Sequence, residues 1–365
     1  MINTRLIMLE GLPSTGKTTN SRFIHIQLER SRMNAKWIHE VAMPQPVLFF
    51  DEAGLTQDEY QAFKKAYPGA ADTLDEIAVL RESTVGIHLP ETEWHYMDKV
   101  GEKAYRALME YDVWNFPLDK YKKFALEKWA HFTKNALAHE DEVCIIDSAV
   151  FQFQVFTFLF KNRPYEELRR FVAQITDIIR PLNPCLIYLY RENTEMTIDY
   201  LQKDRGASYL EYLWNRDKAQ PYYADKPSGA ESFKQFLRDY AGMAGKLFQW
   251  FPANKIAIEI SDGNWARHED EMLAFLETDR HPNPDAFPPI GVYVNEAHGF
   301  QISVNGLSFT DPTGQTRKLY PKSQNAFYVD WLPTVLRFEN NQIVISGSQI
   351  NERWTATGTR YDKIE

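Results

Sequence analysis

Cysteine is nearly missing from this chain of 365 residues: only Cys144 and Cys185 occur, each inside an apolar run (VCIID, PCLIYLY) where a thiol behaves as a small buried hydrophobe. A disulfide framework is thereby excluded. No apolar run approaches the roughly 20 residues that span a bilayer. The opening MINTRLIMLEG also lacks the basic region, long apolar stretch and small-residue cleavage site of a secretory signal. The expected location is the cytoplasm. Positive charge is in deficit, with 41 Lys and Arg against 50 Asp and Glu and a net charge of -9. That balance argues against a broad electrostatic grip on nucleic acid or an anionic membrane. Nine histidines are scattered without an HExxH motif or a Cys/His zinc spacing.

What is present is core material: 44% hydrophobic and 14% aromatic residues, in a chain long enough for two domains. Apolar runs at Arg5–Leu9, Lys36–Val41, Glu142–Ser148, Cys185–Tyr190 and Lys255–Ser261 read as buried strands. Helical spacing fills the text between them, over 17–32, 118–139, 151–160, 165–179, 193–203, 209–222, 230–250 and 267–277. Apolar strands alternating with helices predict an α/β fold, a parallel sheet sandwiched by helices. Between about 42 and 117 the text is long, aromatic-rich and weakly periodic, and reads as an insertion. DRHPNPDAFPP (Asp279–Pro289) is a proline-rich linker, and beyond it short β-rich runs predict a small antiparallel all-β C-terminal domain. The expected division is therefore 1–280 and 281–365. Asn340-Asn341 is the expected tip of a hairpin, since Asn tolerates positive φ.

EGLPSTGKTT (Glu10–Thr19) carries Gly11-x4-Gly16-Lys17-Thr18, the Walker A pattern, after a strand and before a helix. Glycines let backbone N–H groups approach phosphate oxygens, and the following helix aims its positive end at the same place. Gly11, Pro13, Ser14, Thr15, Gly16, Lys17, Thr18 and Thr19 are thus the expected triphosphate cradle, with Lys17 on the β and γ phosphates and the Thr18 hydroxyl on Mg2+. ATP and Mg2+ are the expected cofactors. A plain strand-to-helix turn with an exposed lysine is the competing reading.

Asp147, closing VCIID, is the natural second metal partner, against a competing role for Asp147 or Ser148 as cap of the next helix. Glu40, at the end of WIHE, suits a general base for an acceptor hydroxyl, against a merely solvated strand-end glutamate. RENTEMTIDYLQKDRG brings Arg191, Lys203 and Arg205 after a strand, as cations of a helical lid over about 191–222. Basic residues also suit a helix C-terminus, and Gly206 suits a stop.

LIMLEGLPSTGKTT resembles the opening of P-loop kinases of nucleosides and nucleoside monophosphates, in particular the thymidylate kinase and deoxynucleoside kinase group. NPCLIYLYRENTEMTIDYLQKDRG looks like that group's strand, helix and Arg-bearing lid, and KIAIEISDGNWARHEDEMLAFL like its last strand, purine-side loop and final helix. The resemblance spans about 1–277 and implies a phosphotransferase in which Glu40 is the base and Arg205 clamps the moving group. Two departures stand out: IIDSAVFQFQ lacks the arginine usual after the acidic residue, and the stretch between Glu40 and Asp147, whose part at about 42–117 is expected to bind the acceptor, is longer than a standard monophosphate-binding insertion and lacks its usual Asp-Arg signature. A small-molecule acceptor is the expected partner, with no nucleic acid and no membrane; a homodimer is allowed rather than required. The contrasting class is a nucleotide-binding switch or regulatory NTPase whose β domain binds a partner.

Overall fold

The computed structural model describes residues 3–364. The chain forms two compact units, one from the residues up to Glu40 together with Trp129–His281, the other from Val41–Lys128 together with the chain from Pro282 onward. Among the described residues eight strands precede the linker: β1 (Leu6–Gly11), β2 (Asn34–Ile38), β3 (Glu52–Thr56), β4 (Val79–Leu80), β5 (Thr84–His88), β6 (Glu142–Asp147), β7 (Cys185–Tyr190) and β8 (Asn254–Glu259).

In the first unit, five strands make a parallel sheet ordered β2-β6-β1-β7-β8. β1 at its centre is wholly buried because helices cover both faces, which is why it reads as a continuous apolar run rather than an alternating one. Its Ile7 and Leu9 share a core with Ile24 and Leu28 of the helix Lys17–Arg30 and with Met272 of the helix Trp265–Phe275. The register pairs Leu6 with Cys144 and Leu9 with Asp147, so β1 and β6 end side by side at their carboxyl ends. Ligands of open parallel sheets bind at such ends.

β2 is an edge strand whose exposed and covered residues alternate. It ends at Ile38, short of the expected Val41, and leaves Glu40 in the turn two residues beyond.

The 41–128 segment is more regular than its sequence suggests. β3, β5 and β4 form an antiparallel sheet with β5 in the middle. The helix Gln57–Ala66 starts with a capping box, Glu59 N–H donating to Thr56 Oγ1 and Thr56 N–H to Glu59 Oε2. That box is legible as TQDE. The strands escape a periodicity search because they are short and carry glycine (EAGLT, TVGIH).

After the linker come β9 (Gly291–Asn295), β10 (Phe300–Asn305), β11 (Ser308–Thr310), β12 (Thr316–Pro321), β13 (Ala326–Val329), β14 (Val335–Glu339), β15 (Gln342–Ser346) and β16 (Arg360–Lys363). They pair antiparallel in sequence order, and β16 closes onto β9 to make an eight-stranded barrel. Closure leaves no open edge, and side chains including Phe309, Leu319, Phe327, Leu336 and Ile345 fill the interior. Asn340 and Asn341 form the two-residue turn between Glu339 and Gln342, with φ of 47° and 64°. Among the described residues no helix is long and apolar enough to cross a membrane.

Candidate functional site

The chain turns sharply between β1 and the helix Lys17–Arg30. Gly11 has φ 154°, Ser14 59° and Gly16 82°. A side chain on Gly11 would collide with the Leu189 carbonyl of β7, and a Cβ on Gly16 would lie 2.7 Å from the Trp265 indole. Thr15, fully buried, ties the turn by donating from Oγ1 to Leu12 O at 2.8 Å. Asn20 Nδ2 donates to Gly16 O at 2.8 Å. The helix begins at Lys17 with no side-chain cap and no acidic residue in its first turn. Its leading N–H groups and positive pole are therefore left to an anion. Thr18 is half-buried; Thr19 is exposed.

Lys17 is buried, and its ammonium donates to Leu12 O at 2.8 Å. Burial pulls its pKa down, while the carboxylates of Asp147, Glu40 and Glu10 pull it up. Asp147, fully buried at the end of β6, accepts from Ser148 Oγ through Oδ1 at 2.8 Å. Its Oδ2 is buried without a hydrogen-bond partner. A bare carboxylate oxygen in that position fits a hard divalent cation or a water bound to it. No group of three or more His, Cys, Asp or Glu able to hold a metal occurs among the described residues. A cation here would depend on Asp147, the Thr18 hydroxyl and oxygens of a bound phosphate, the sparse arrangement Mg2+ usually takes.

Glu40 lies in the same electrostatic neighbourhood. Burial raises its pKa to about 7 and the charge on Asp147 adds to that, against the opposing pull of Lys17, of Gln152 and of Arg205. Gln152 Nε2 donates to Glu40 Oε2 at 3.1 Å. Of the expected lid cations, Arg205 ends the helix Thr194–Arg205 and acts on Glu40 through its charge. Arg191 instead lies over the Tyr200 ring at 5.1 Å and donates to Thr197 Oγ1, and Lys203 is exposed. The fold thus gathers Lys17, Glu40, Asp147 and the field of Arg205, but not Arg191 or Lys203.

Two further members of this group, Glu10 and Gln152, lie outside the residues that the sequence motifs mark. Glu10 is fully buried in β1 and accepts from the N–H groups of Val150 at 2.6 Å and Gln152 at 3.1 Å. Burial raises its pKa to about 7 despite those N–H groups and Lys17. An acid inside the apolar run LIMLEG was a visible signal, since a charged residue is rarely buried without a partner. Gln152, in a helix of aromatic and apolar text (QFQVFTFLF), gave no such signal.

No family model matches the chain, and no curated protein sequence matches it. Among solved structures, the YorR protein of Bacillus subtilis, crystallised in complex with phosphorylated GDP, is similar at a TM-score of 0.31 and 11% identity, over 74% of this chain and 95% of that one. So slight a likeness carries no argument about function.

Proposed function

We propose that this protein is an ATP- and Mg2+-dependent small-molecule phosphotransferase of the thymidylate kinase and deoxynucleoside kinase-like group. The γ-phosphoryl group would move to a hydroxyl or phosphate of a nucleoside- or nucleotide-like acceptor. The observation that carries this reading is the meeting of Lys17, Asp147 and Glu40 at the uncapped start of the helix Lys17–Arg30.

Backbone N–H groups from Gly11 to Thr19 and the Lys17 ammonium hold the triphosphate, and the Lys17 bond to Leu12 O is exchanged for one to phosphate. Thr18 and Asp147 would hold Mg2+, whose charge, when bound, offsets that of the phosphate oxygens. Glu40, poised at about 7, takes the proton of the acceptor hydroxyl as its oxygen bonds to the γ phosphorus. The bond from that phosphorus to the β–γ bridging oxygen breaks, and ADP leaves with the electron pair. Arg205 steadies the charge spread over the moving group.

The test is to mix the purified protein with Mg·ATP and a panel of nucleosides, nucleotides, sugars and aminoglycosides, following ADP and phosphorylated product by mass spectrometry. Failure to bind nucleotide ends the proposal. Binding without any phosphorylated product moves the chain to the switch or regulatory NTPase class.

A further inference from the structure

The 41–128 segment buries more positive than negative charge. Glu52 on β3 is a cross-strand partner of His88 on β5, so their side chains share a face of the small sheet. Glu52 Oε1 accepts from Arg81 Nη2 at 2.6 Å, and its Oε2 is ion-paired with Lys128. Lys128 Nζ also donates to Leu48 O at 2.5 Å. Glu52, Arg81 and Lys128 are 5%, 8% and 2% exposed, so each is more than nine-tenths buried.

One carboxylate thus faces two cations. The pKa directions agree: burial alone would raise Glu52, yet Arg81 and Lys128 hold it at about 2, while burial lowers Lys128 to about 8 and His88 to about 4. At neutral pH the group carries one net positive charge, with the imidazole neutral. Lys128 and Arg81 also lie over the Phe49 ring, at 4.4 and 6.0 Å from its centroid, which softens the excess without cancelling it. Arg81 Nε and Nη1, and both ring nitrogens of His88, are buried without a hydrogen-bond partner. Leaving a buried ion cluster short of a partner is strongly destabilising. Gly86 on β5 is part of the construction, because a Cβ there would lie 2.7 Å from Arg81 Nη2. His88 is half-buried and is the least enclosed member of the group.

We infer that Arg81, Lys128 and His88 form a binding site for a small oxyanion, a phosphate or carboxylate group, which supplies the negative charge and the hydrogen-bond acceptors that Glu52 alone does not. Arg81 would give Nε–H and Nη1–H, Lys128 its charge, and His88 a ring N–H. This site is distinct from the phosphate loop and stands whether or not the chain is a kinase.

Equilibrium dialysis of the full chain against radiolabelled inorganic phosphate and, separately, acetate tests it, with Lys17→Ala in every sample to disable the phosphate loop. Saturable uptake is expected, and the anion taken up more tightly identifies the class. Arg81→Gln should weaken it by at least about tenfold, the value of one charged hydrogen bond. Glu52→Gln, which frees the cations, should tighten it. Because either variant can fail to fold, the unsubstituted protein supplies a second measurement: crystals soaked in sodium bromide should show an anomalous peak beside Arg81 Nε or Nη1. No saturable uptake of either anion, uptake indifferent to Arg81→Gln in a folded protein, or no bromide peak beside Arg81 would each overturn the inference.

Discussion

Three side chains respond differently to removal of charge. Under the proposed function, Lys17→Ala deletes the one ammonium of the 11–19 turn, and its expected cost is about 10²–10³ in kcat, as for removal of one preorganised transition-state donor. Circular dichroism should show a folded protein, and unchanged turnover would take the loop out of the mechanism. Glu40→Gln should lower kcat by about 10²–10⁴ with little change in the KM for ATP. On the proposed mechanism, kcat of the parent protein should rise as pH climbs through about 7, where the Glu40 carboxyl loses its proton, and the variant should lose that limb. Glu10 bears on stability instead. Its folded pKa of about 7 stands above the ordinary 4.5, so the folded chain keeps a proton that the unfolded chain gives up. The stability it contributes is full below pH 4.5 and is lost as pH rises through about 7, roughly 3 kcal/mol in all. Thermal denaturation of Glu10→Gln should show Tm falling less steeply between pH 5 and 8 than in the parent, and an equal slope would remove Glu10 as the cause.

At the level of elements, β1 and its turn have no spare room. Gly11→Ala would push a methyl group against the Leu189 carbonyl, and the expected loss is about 1–3 kcal/mol, read by urea denaturation. The barrel offers an independent case. Both turn residues of the β14–β15 hairpin have positive φ, so Asn341→Val should destabilise the barrel by roughly 1–2 kcal/mol, while Asn341→Gly should be neutral or better. That turn was legible because two asparagines between β-rich runs have few other uses. The edge strand β2 was less so: its exposed Asn34 belongs to the strand and its apparent extension to Val41 does not, since pairing with β6 stops at Ile38. The short strands β3 and β5 are hidden from the sequence for a related reason. Their burial comes from neighbours distant in sequence, such as Leu108 of a later helix, rather than from a period within each run.

For the molecule as a whole, a ligand that binds only the folded chain must stabilise it. Mg·ATP at a hundredfold excess over its Kd should add about 2.7 kcal/mol, seen as a rise in Tm by scanning calorimetry that Lys17→Ala abolishes. No rise in the parent would contradict the proposed nucleotide site. The chain is acidic as a whole, net -9, yet among the described residues its buried charges balance, Lys17, Arg22, Arg81, Lys128 and Arg317 against Glu10, Glu52, Asp147, Asp217 and Asp311.

By itself the amino-acid order determined the alternation of apolar strands with helices, the glycine-bearing turn before Lys17, and the change to β text after the prolines. Each is a local matter of side-chain period or backbone freedom. Only the tertiary structure decided which charges meet. The register of β1 against β6 sets Asp147 beside Leu9, and burial then moves Glu10 and Glu40 to about 7. The pairing of β3 with β5 brings Glu52 opposite His88 and leaves two cations to share one carboxylate. Such groupings join residues dozens to more than a hundred positions apart, and their energies come from water removed by the whole fold, which no short window of sequence contains.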